Sequence, residues 1–295
     1  SDQAYLIHKA STLVEALPYI REHSGKTIVI KYGGHAMGDF ILSQNFSRDI
    51  GLLKEVGINP IVIHGGGPQI GEMLKKKNIN SEFLEGLRVT DKEAIKIVEE
   101  VLSININSKI VNDIKLSGGN AEGFAGNKNN LIEAEKLEIL AKNPKSNIEK
   151  ILDLGFVGTP IKININIIKD SIHNGNVPVI APLGINKAGH TFNINADTVA
   201  GFIASSINAS KLLLLTDVPG ILDKNKTLIP SIDFENAKKI INEDYILGGM
   251  RPKIMTCIDA ISRGVSQATI LDGRISHALI LELFTEHGIG TQIYS

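Results

Sequence analysis

Short apolar runs of strand length alternate with longer stretches of helical periodicity along this chain. Two β-branched runs, Thr27–Lys31 and Pro60–His64, each end in a cluster of glycines. Helical spacing of apolar residues follows each of them, over Phe40–Val56 and Pro68–Lys77 respectively. A strand, a glycine turn and a helix in this order predict parallel βαβ units, and therefore an α/β fold.

The same alternation continues on both sides of these units. An amphipathic helix is predicted over 9–23, and a hairpin is predicted over 83–90, before a helix that a capping box from Thr90 to Glu93 would open. Segments near 121–126, 131–135 and 150–165 are interpreted as a β-meander. Further helices are predicted at about 164–174, 195–207, 233–242, 250–263 and 275–283, and further strands at 177–181, 212–215 and 267–271.

Composition and charge narrow the class of protein. The chain has 295 residues, and its 31 Lys and Arg nearly balance its 32 Asp and Glu. This balance argues against nucleic acid or an anionic membrane as a partner. A single cysteine, Cys257, excludes an internal disulfide and a Cys-rich zinc site. Because no apolar run spans a membrane and no signal-peptide pattern is present, we expect a soluble, cytoplasmic protein.

The two glycine clusters are the first candidate site. Gly33 and Gly34 follow one predicted strand, and Gly65–Gly67 follow the other. Glycines at the carboxyl ends of parallel strands allow the backbone N–H groups to approach an anion closely. One such loop alone would be an ordinary turn, but two in neighbouring units favour a phosphate or carboxylate site. Neither loop matches the P-loop or the dinucleotide fingerprint, so both of those classes are disfavoured.

Isolated charged residues lie beside these and other glycines. Lys31 ends a strand where an apolar residue would be expected, although its stem could simply reach the surface. Lys253 occupies the first turn of a predicted helix, where a cation opposes the helix dipole. Asp197 lies on an otherwise apolar helix face, and a buried carboxylate needs cationic partners. The two lysines would be such partners if they converge on one phosphate. Arg88, at the hairpin, could bind a carboxylate in bidentate fashion or form a surface ion pair.

Six motifs in order along nearly the whole chain resemble the amino acid kinase family, and most closely its acetylglutamate kinase branch. They are Val29–Gly34 (VIKYGG), Ile63–Pro68 (IHGGGP), Gly86–Asp91 (GLRVTD), Asn193–Asp197 (NINAD), Leu215–Leu222 (LTDVPGIL) and Gly248–Lys253 (GGMRPK). The resemblance implies a three-layer αβα sandwich with a mainly parallel open sheet and two lobes, similar to carbamate kinase. It also implies an N-terminal helical extension over 1–25, an acetylglutamate-binding lobe over 26–207, and an ATP-binding lobe over 208–295.

The implied reaction transfers the γ-phosphoryl group of ATP, as its Mg²⁺ complex, to the side-chain carboxylate of N-acetyl-L-glutamate in arginine biosynthesis. By resemblance, Lys31 and Lys253 stabilise the transferring group and Asp197 orients both lysines. The implied acetylglutamate residues are Gly66, Gly67, Arg88 and Asn193. The implied ATP residues are Gly33, Gly34, Thr216, Asp217, Gly220, Leu222, Gly249 and Met250. No protein metal site is expected. An acceptor carboxylate is already ionised at neutral pH, so no general base is needed, and His35 and His64 are interpreted as local structure.

Both ends of the chain resemble the arginine-inhibited members of the branch. The C-terminal run 272–291 and the helix around 10–19 carry this likeness. It implies that L-arginine inhibits the enzyme and that the N-terminal helices interlace dimers into a homohexamer, a trimer of dimers. The implied arginine contacts are His277, Glu282, Gly288 and Tyr19. The alternative is a helix that packs on its own subunit, which periodicity does not distinguish.

Two other functions remain open from the sequence. The first is another kinase of the same family, such as glutamate 5-kinase, aspartokinase or carbamate kinase, against which Gly86–Asp91 argues. The second is a non-catalytic arginine sensor, against which the retention of both lysines and Asp197 argues. The compartment also stays open, because an enzyme from a photosynthetic eukaryote would work in the plastid stroma.

Overall fold

The computed structural model describes residues 1–142 and 148–295. The helices are α1 Asp2–His23, α2 His35–Gly38, α3 Phe40–Glu55, α4 Gly67–Lys76, α5 Lys92–Glu99, α6 Asn107–Leu116, α7 Ile165–His173, α8 Ala196–Ser206, α9 Phe234–Ile240, α10 Met250–Ser262 and α11 Ala278–Leu283, with a π-helical segment Glu100–Ile106 between α5 and α6. The strands are β1 Thr27–Tyr32, β2 Asn59–His64, β3 Phe83–Leu84, β4 Leu87–Arg88, β5 Ala121–Ala125, β6 Ile132–Lys136, β7 Ile139–Lys142, β8 Glu149–Leu152, β9 Gly158–Ile163, β10 Val177–Ala181, β11 Leu183–Ile185, β12 Thr191–Asn193, β13 Lys211–Thr216, β14 Ser231–Asp233, β15 Gln267–Asp272 and β16 Thr291–Tyr294.

A central sheet of eight strands runs through the molecule in the order β14-β16-β15-β13-β1-β2-β10-β5. Its neighbours are parallel except for β15 and β16, which pair antiparallel. Parallel strands require helical crossovers, which cover both faces of the sheet. The strand β1 illustrates the result, because Ile28 and Ile30 pack into the core on one face and Val29 packs into the core on the other. The predicted three-layer αβα sandwich with a mainly parallel open sheet is therefore confirmed.

The predicted β-meander is wrong. The strand β5 joins the edge of the central sheet, parallel to β10, after the helix α6. The strands β6 and β9 pair antiparallel in a separate four-stranded sheet of order β12-β11-β6-β9, and β8 pairs with β7. An alternating pattern identifies a strand but carries no information about which sheet the strand joins.

The predicted capping box is displaced by one residue. Asp91, not Thr90, caps α5, and its carboxylate accepts a hydrogen bond from the N–H of Ala94 at 2.8 Å. Thr90 is fully buried and donates its hydroxyl to the carbonyl of Arg88 at 2.9 Å. The two adjacent residues are both good caps by type, so spacing alone could not choose between them.

The N-terminal helix α1 is longer than predicted and leaves its apolar residues uncovered. Leu6, Leu13 and Val14 are 61%, 75% and 70% exposed. Only the end of the helix is buried, where a ring nitrogen of His23 lies 3.2 Å from the carbonyl oxygen of Leu283. A helix packed along its own chain would bury its apolar stripe, so this alternative is wrong. Within the described residues no helix combines the length and the apolar character that a membrane span requires.

Candidate active site

A cavity of about 270 Å³ opens at the carboxyl ends of β1 and β2, where the two glycine clusters lie next to each other. Every predicted acetylglutamate residue lines this cavity, together with several of the residues that are predicted to contact the phosphate groups. Its lining includes Gly66, Gly67, Arg88, Asn193, Lys31, Gly34 and Asp197. Residues that are far apart in the sequence therefore meet at one edge of the sheet, as parallel topology requires.

Asp197 holds both predicted lysines. Lys253 Nζ lies 2.6 Å from Asp197 Oδ2, and Lys31 Nζ lies 3.4 Å from Asp197 Oδ1. Lys31 ends β1, Asp197 is in the first turn of α8, and Lys253 is in the first turn of α10. The three side chains are only 12 to 17% exposed. The structure thus joins two ammonium groups from the two predicted lobes through one carboxylate.

The electrostatic balance of this cluster favours an added anion. Burial lowers the pKa of Lys31, which the Asp197 carboxylate opposes and the Lys253 ammonium reinforces. Burial acts to raise the pKa of Asp197, but the ammonium groups of Lys31 and then Lys253 outweigh it and hold that pKa below its usual value. Two lysine side chains thus share the one carboxylate that the described residues place within 4 Å of them, in a poorly hydrated place. A bound phosphoryl group would supply further negative charge beside them.

The glycines of the first loop lie directly against charged side chains. A Cβ on Gly34, whose φ is +67°, would stand 2.7 Å from the carboxylate of Asp217. That carboxylate accepts the N–H of His35 at 3.0 Å and so ties the loop after β1 to the loop after β13. A Cβ on Gly33 would stand 3.2 Å from Lys31 Nζ. A side chain at either glycine would therefore displace a charged group of the site.

Arg88 reaches the second glycine loop from the hairpin formed by β3 and β4. Its Nη2 donates to the carbonyl oxygen of Gly67 at 3.0 Å, and its Nη1 donates to Ser81. The guanidinium also lies over the ring of Phe83, 4.6 Å from its centroid. Stacking and two hydrogen bonds hold this planar group at the cavity wall, where it can bind a carboxylate. Asn193, at the end of β12, lines the same cavity.

The predicted ATP residues lie on three loops, which follow β1, follow β13 and precede α10. Gly249 caps α10 and Met250 begins it, while Thr216 ends β13 opposite Asp272 of β15. Gly220 approaches Thr291 closely, since a Cβ there would stand 2.7 Å from the threonine hydroxyl. Leu222 forms an isolated bridge with Leu228.

Thr291 is a residue that sequence reasoning missed. Its hydroxyl oxygen accepts the N–H of Ile221 at 2.9 Å and donates to the carbonyl oxygen of Ile229 at 2.6 Å, although Thr291 is fully buried. It therefore fixes the loop that carries Gly220 and Leu222. The only signal in the sequence is one threonine in the short C-terminal run TQIY, which does not identify a site.

The predicted arginine contacts are only partly brought together. Glu282 accepts the N–H groups of Ile289 at 2.6 Å and Gly290 at 3.1 Å. Gly288, with φ of +63°, lies directly against the same carboxylate. His277 instead lies 2.7 Å from the carboxylate of Asp49 on α3. Tyr19 is a partly buried residue near the end of α1. Glu282 and its loop thus form one unit, and His277 belongs to a different contact.

Comparison with known proteins places this geometry in context. The model of the amino acid kinase family matches residues 26–272. The acetylglutamate kinase of Rhodospirillum centenum is 54% identical over 285 residues, which cover 97% of this chain and 93% of that protein. That of Rhodospirillum rubrum is 53% identical over 287 residues, with the same coverage.

Solved structures show the same architecture. N-acetylglutamate synthase from Neisseria gonorrhoeae, complexed with coenzyme A and N-acetyl-glutamate, superposes with a TM-score of 0.84 at 26% identity. The match covers 97% of this chain and 63% of that one, so this chain spans less than two thirds of the synthase. Carbamate kinase from Giardia superposes with a TM-score of 0.63 at 17% identity, over 92% of this chain and 99% of that one. At that identity the likeness concerns the fold, and it confirms the predicted carbamate kinase-like architecture.

The shared carboxylate predicts a pH-dependent loss of stability in Asp197→Asn. The variant leaves two buried ammonium groups unpaired and should lower the free energy of unfolding by about 3 kcal/mol near neutral pH. Without Asp197 the pKa of Lys31 in the folded protein falls further below its value in the unfolded chain. Between these two pKa values the unfolded chain binds one proton more than the folded protein does, so the free energy of unfolding of the variant rises with pH. The deficit should therefore shrink as the pH approaches about 10. Urea unfolding of the variant and of the unsubstituted protein at neutral pH and at about pH 10 measures this deficit in the free energy of unfolding.

Asp153→Asn is the matched control. The Asp153 side chain is 79% exposed and pairs with Lys136 at 2.9 Å, so its loss should leave the free energy of unfolding nearly unchanged at either pH, because solvent screens an exposed pair. Equal, small deficits in the two variants would show that the Asp197 cluster is not an electrostatic unit.

Proposed function

The chain belongs to the amino acid kinase family, and we propose that it transfers the γ-phosphoryl group of ATP to the side-chain carboxylate of N-acetyl-L-glutamate. The product is N-acetyl-L-glutamyl 5-phosphate, and the step belongs to arginine biosynthesis. The observation that carries this proposal is the pair Lys31 and Lys253, held on Asp197 at a cavity that also contains Arg88 and Asn193. The names of the acetylglutamate kinases that match nearly the whole chain support the choice of acceptor.

The main physical difficulty of this reaction is the approach of two anions. A side-chain carboxylate has an unperturbed pKa of about 4.3, so it attacks in its ionised form and needs no base. Negative charge instead has to be neutralised as the carboxylate oxygen approaches the γ-phosphorus and the bridging oxygen to ADP leaves. Fixed ammonium groups on both sides of the transferring group perform this task without rearranging during the reaction.

The substrate residues act by orientation. In this proposal the guanidinium of Arg88 pairs with the α-carboxylate of acetylglutamate, and the Asn193 amide and the N–H groups of Gly66 and Gly67 bind its remaining polar atoms. An acceptor held at these points presents its side-chain carboxylate toward Lys31 in the same cavity. Positioning of this kind lowers the barrier because the reacting groups no longer have to meet by diffusion.

ATP enters this proposal as its Mg²⁺ complex. Magnesium prefers phosphate oxygens and water to a complete protein cage. Within residues 1–142 and 148–295, no group of three or more His, Cys, Asp or Glu side chains is arranged to hold a metal. The ion would therefore arrive with the nucleotide, whose phosphates would lie on the loop of Gly33 and Gly34 and on the start of α10 at Gly249 and Met250.

We further propose a homohexamer, a trimer of dimers, whose interlaced α1 helices transmit inhibition by L-arginine. The uncovered apolar residues of α1 support an interface there, because such side chains are normally buried against a partner. The Glu282 carboxylate beside Gly288, a short distance along the chain from His277, offers a counter-charge to a guanidinium. The buried, unpaired thiol of Cys257 fits the reducing cytoplasm in which we place the enzyme.

Replacement of either lysine is the direct test of the mechanism. Lys31→Met and Lys253→Met each keep the stem of the side chain and remove the charge. Each should lower kcat about a hundredfold to a thousandfold, as loss of one preorganised charge-stabilising group does in other enzymes. Initial rates of ADP release at saturating acetylglutamate measure this, with circular dichroism as the check on folding.

Lys54→Met is the control for the loss of a partly buried lysine outside the site. Its Nζ donates to Asn59 at 3.1 Å, and kcat should stay within about twofold of the unsubstituted enzyme. A near-normal kcat for Lys31→Met or Lys253→Met would remove that lysine from the mechanism. The same assay with glutamate, aspartate and carbamate as acceptors distinguishes an acetylglutamate kinase from the other kinases of the family. If no acceptor is turned over, the non-catalytic arginine sensor becomes the favoured function.

The regulatory proposal is tested by charge on the exposed face of α1. The double variant Leu13→Glu and Val14→Glu should sediment as a dimer and lose inhibition by arginine, while its activity without arginine is retained. Leu140→Glu places one such charge on an exposed leucine elsewhere, in β7, and should leave both the hexamer and the inhibition intact. If the unsubstituted protein is a dimer that millimolar arginine does not inhibit, the regulatory proposal is wrong.

A further inference from the structure

The second glycine loop rests on the π-helical segment Glu100–Ile106. A Cβ on Gly66 would stand 2.6 Å from Ile106 Cδ1 and 2.7 Å from Leu102 Cδ2, so any larger residue would force these two side chains to move. A π-helical turn holds more residues than an α-helical one, and it therefore changes which side chains face the loop. Such segments are rare and occur frequently at functional sites. This raises the question of what the helix presents to the loop immediately after the segment.

The first residue after the π-helical segment is Asn107, and its amide joins three neighbouring strands. Asn107 is 5% exposed, and its Nδ2 donates to the carbonyl oxygen of Val179 in β10 at 3.0 Å. The same nitrogen lies 3.4 Å from the carbonyl oxygen of Phe124 in β5 and 3.1 Å from Nε2 of His64 in β2. One buried amide therefore contacts β2, β10 and β5 at once.

These contacts fix the orientation of the amide and the proton of the imidazole. Carbonyl oxygens only accept hydrogen bonds, so the amide nitrogen, and not its oxygen, must face Val179 and Phe124. Since this nitrogen also faces His64, Nε2 of the ring has to be the acceptor. A neutral imidazole with an accepting Nε2 carries its proton on Nδ1. Nδ1 lies 3.0 Å from the carbonyl oxygen of Gly65 and therefore donates to it.

Two further observations keep this arrangement in place. A Cβ on Gly123 would collide with Asn107 Oδ1, so the amide oxygen fills the space that this glycine leaves. Full burial lowers the pKa of His64 to about 4, so the ring stays neutral at neutral pH. The amide cannot turn over without placing its oxygen against carbonyl oxygens, and the ring cannot exchange its proton position without losing both hydrogen bonds.

The hydrogen bond to Gly65 sets the direction of a donor in the cavity. The Gly65 carbonyl and the Gly66 N–H belong to one planar trans peptide and point in opposite directions. Holding the carbonyl on the buried ring of His64 therefore turns the Gly66 N–H away from the core, on the side where Gly66 lines the cavity. Within the described part of the chain, no protein acceptor takes this N–H.

We propose that Asn107 and His64 are positioning residues that aim the Gly66 N–H at the acceptor substrate. Asn107 selects the Nδ1–H form of His64, and His64 then fixes the Gly65–Gly66 peptide. The identity of the acceptor, acetylglutamate, rests on the proposed function, but the hydrogen-bond chain does not. His64 thus has a role beyond the local structure that the sequence suggested.

Nitrogen NMR of the imidazoles tests the hydrogen bonds from Asn107 to His64 and from His64 to Gly65 without any assay of activity. In protein labelled with ¹⁵N at histidine, long-range proton–nitrogen correlation distinguishes the two neutral forms and the charged form. The signals of His64 are assigned by their absence in His64→Asn. We expect a neutral Nδ1–H ring at pH 7. A neutral Nε2–H ring or a charged ring would overturn the proposal.

Two variants of His64 separate positioning from structure. The amide nitrogen of asparagine can take the place of Nδ1, whereas the longer glutamine reaches the position of Nε2. His64→Gln should therefore raise KM for acetylglutamate about tenfold, or about 1.4 kcal/mol, and His64→Asn should stay within about threefold. The KM for ATP should not change in either variant. Equal effects of the two variants on KM, or an equal rise in the KM for ATP, would overturn the proposal.

A pair of asparagines supplies the matched control. Asn127 is also buried, and its Nδ2 donates to Glu99 at 2.9 Å and to Thr191 at 3.1 Å. Asn107→Leu should raise KM for acetylglutamate and alter the nitrogen signals of His64, whereas Asn127→Leu should lower only the melting temperature. If the unsubstituted protein does not phosphorylate acetylglutamate but His64 is Nδ1–H, the proposed function fails and the hydrogen-bond chain stands. If the enzyme phosphorylates acetylglutamate but His64 is Nε2–H, the proposed function stands and the hydrogen-bond chain fails.

Discussion

The structure depends on one carboxylate that serves two ammonium groups. Lys31 and Lys253 together hold the pKa of the buried Asp197 carboxyl below its usual value. Among the described residues, neither lysine has another carboxylate at comparable distance. The three side chains come from a central strand and from the first turns of two helices. The position of these elements on the sheet therefore decides whether the cluster forms, and the cluster in turn makes the carboxyl end of the sheet attractive to phosphate.

The sequence was sufficient for the fold class, and it singled out several residues that the structure brings together at the cavity. Alternating strand and helix patterns predict parallel βαβ units, and parallel units place Gly33, Gly66 and Lys31 at one edge. Lys253 was recognisable because a cation in the first turn of a helix is unfavourable without an anion. Asp197 was recognisable because a carboxylate on an apolar helix face needs partners. In each case a residue type conflicted with its local environment, and the conflict indicated a function.

The remainder was not predictable because it depends on contacts between distant segments. Pattern alone did not assign β5 and β6 to different sheets, and it did not choose between Thr90 and Asp91 as a cap. A π-helical segment leaves almost no trace in apolar periodicity, so the meeting of Asn107 with His64 was invisible. The exposure of α1 was likewise undetermined, since an amphipathic helix has the same pattern whether it covers its own chain or another.

Within the central sheet, the two predicted lobes meet at a pair of adjacent strands, and we call this pair the seam. Residues Ile28–Lys31 of β1 align with Lys211–Leu214 of β13 in an unbroken parallel register. A ladder of backbone hydrogen bonds resists shear and sliding, but a sheet can still change its twist at small cost. Relative motion of the halves would accordingly be a torsion distributed over the whole sheet instead of a bend at one flexible joint. Such a change of twist would displace the loops at the ends of the strands more than the strands themselves. A few degrees of added twist at the seam, between β1 and β13, would therefore open or narrow the cleft around Asp197.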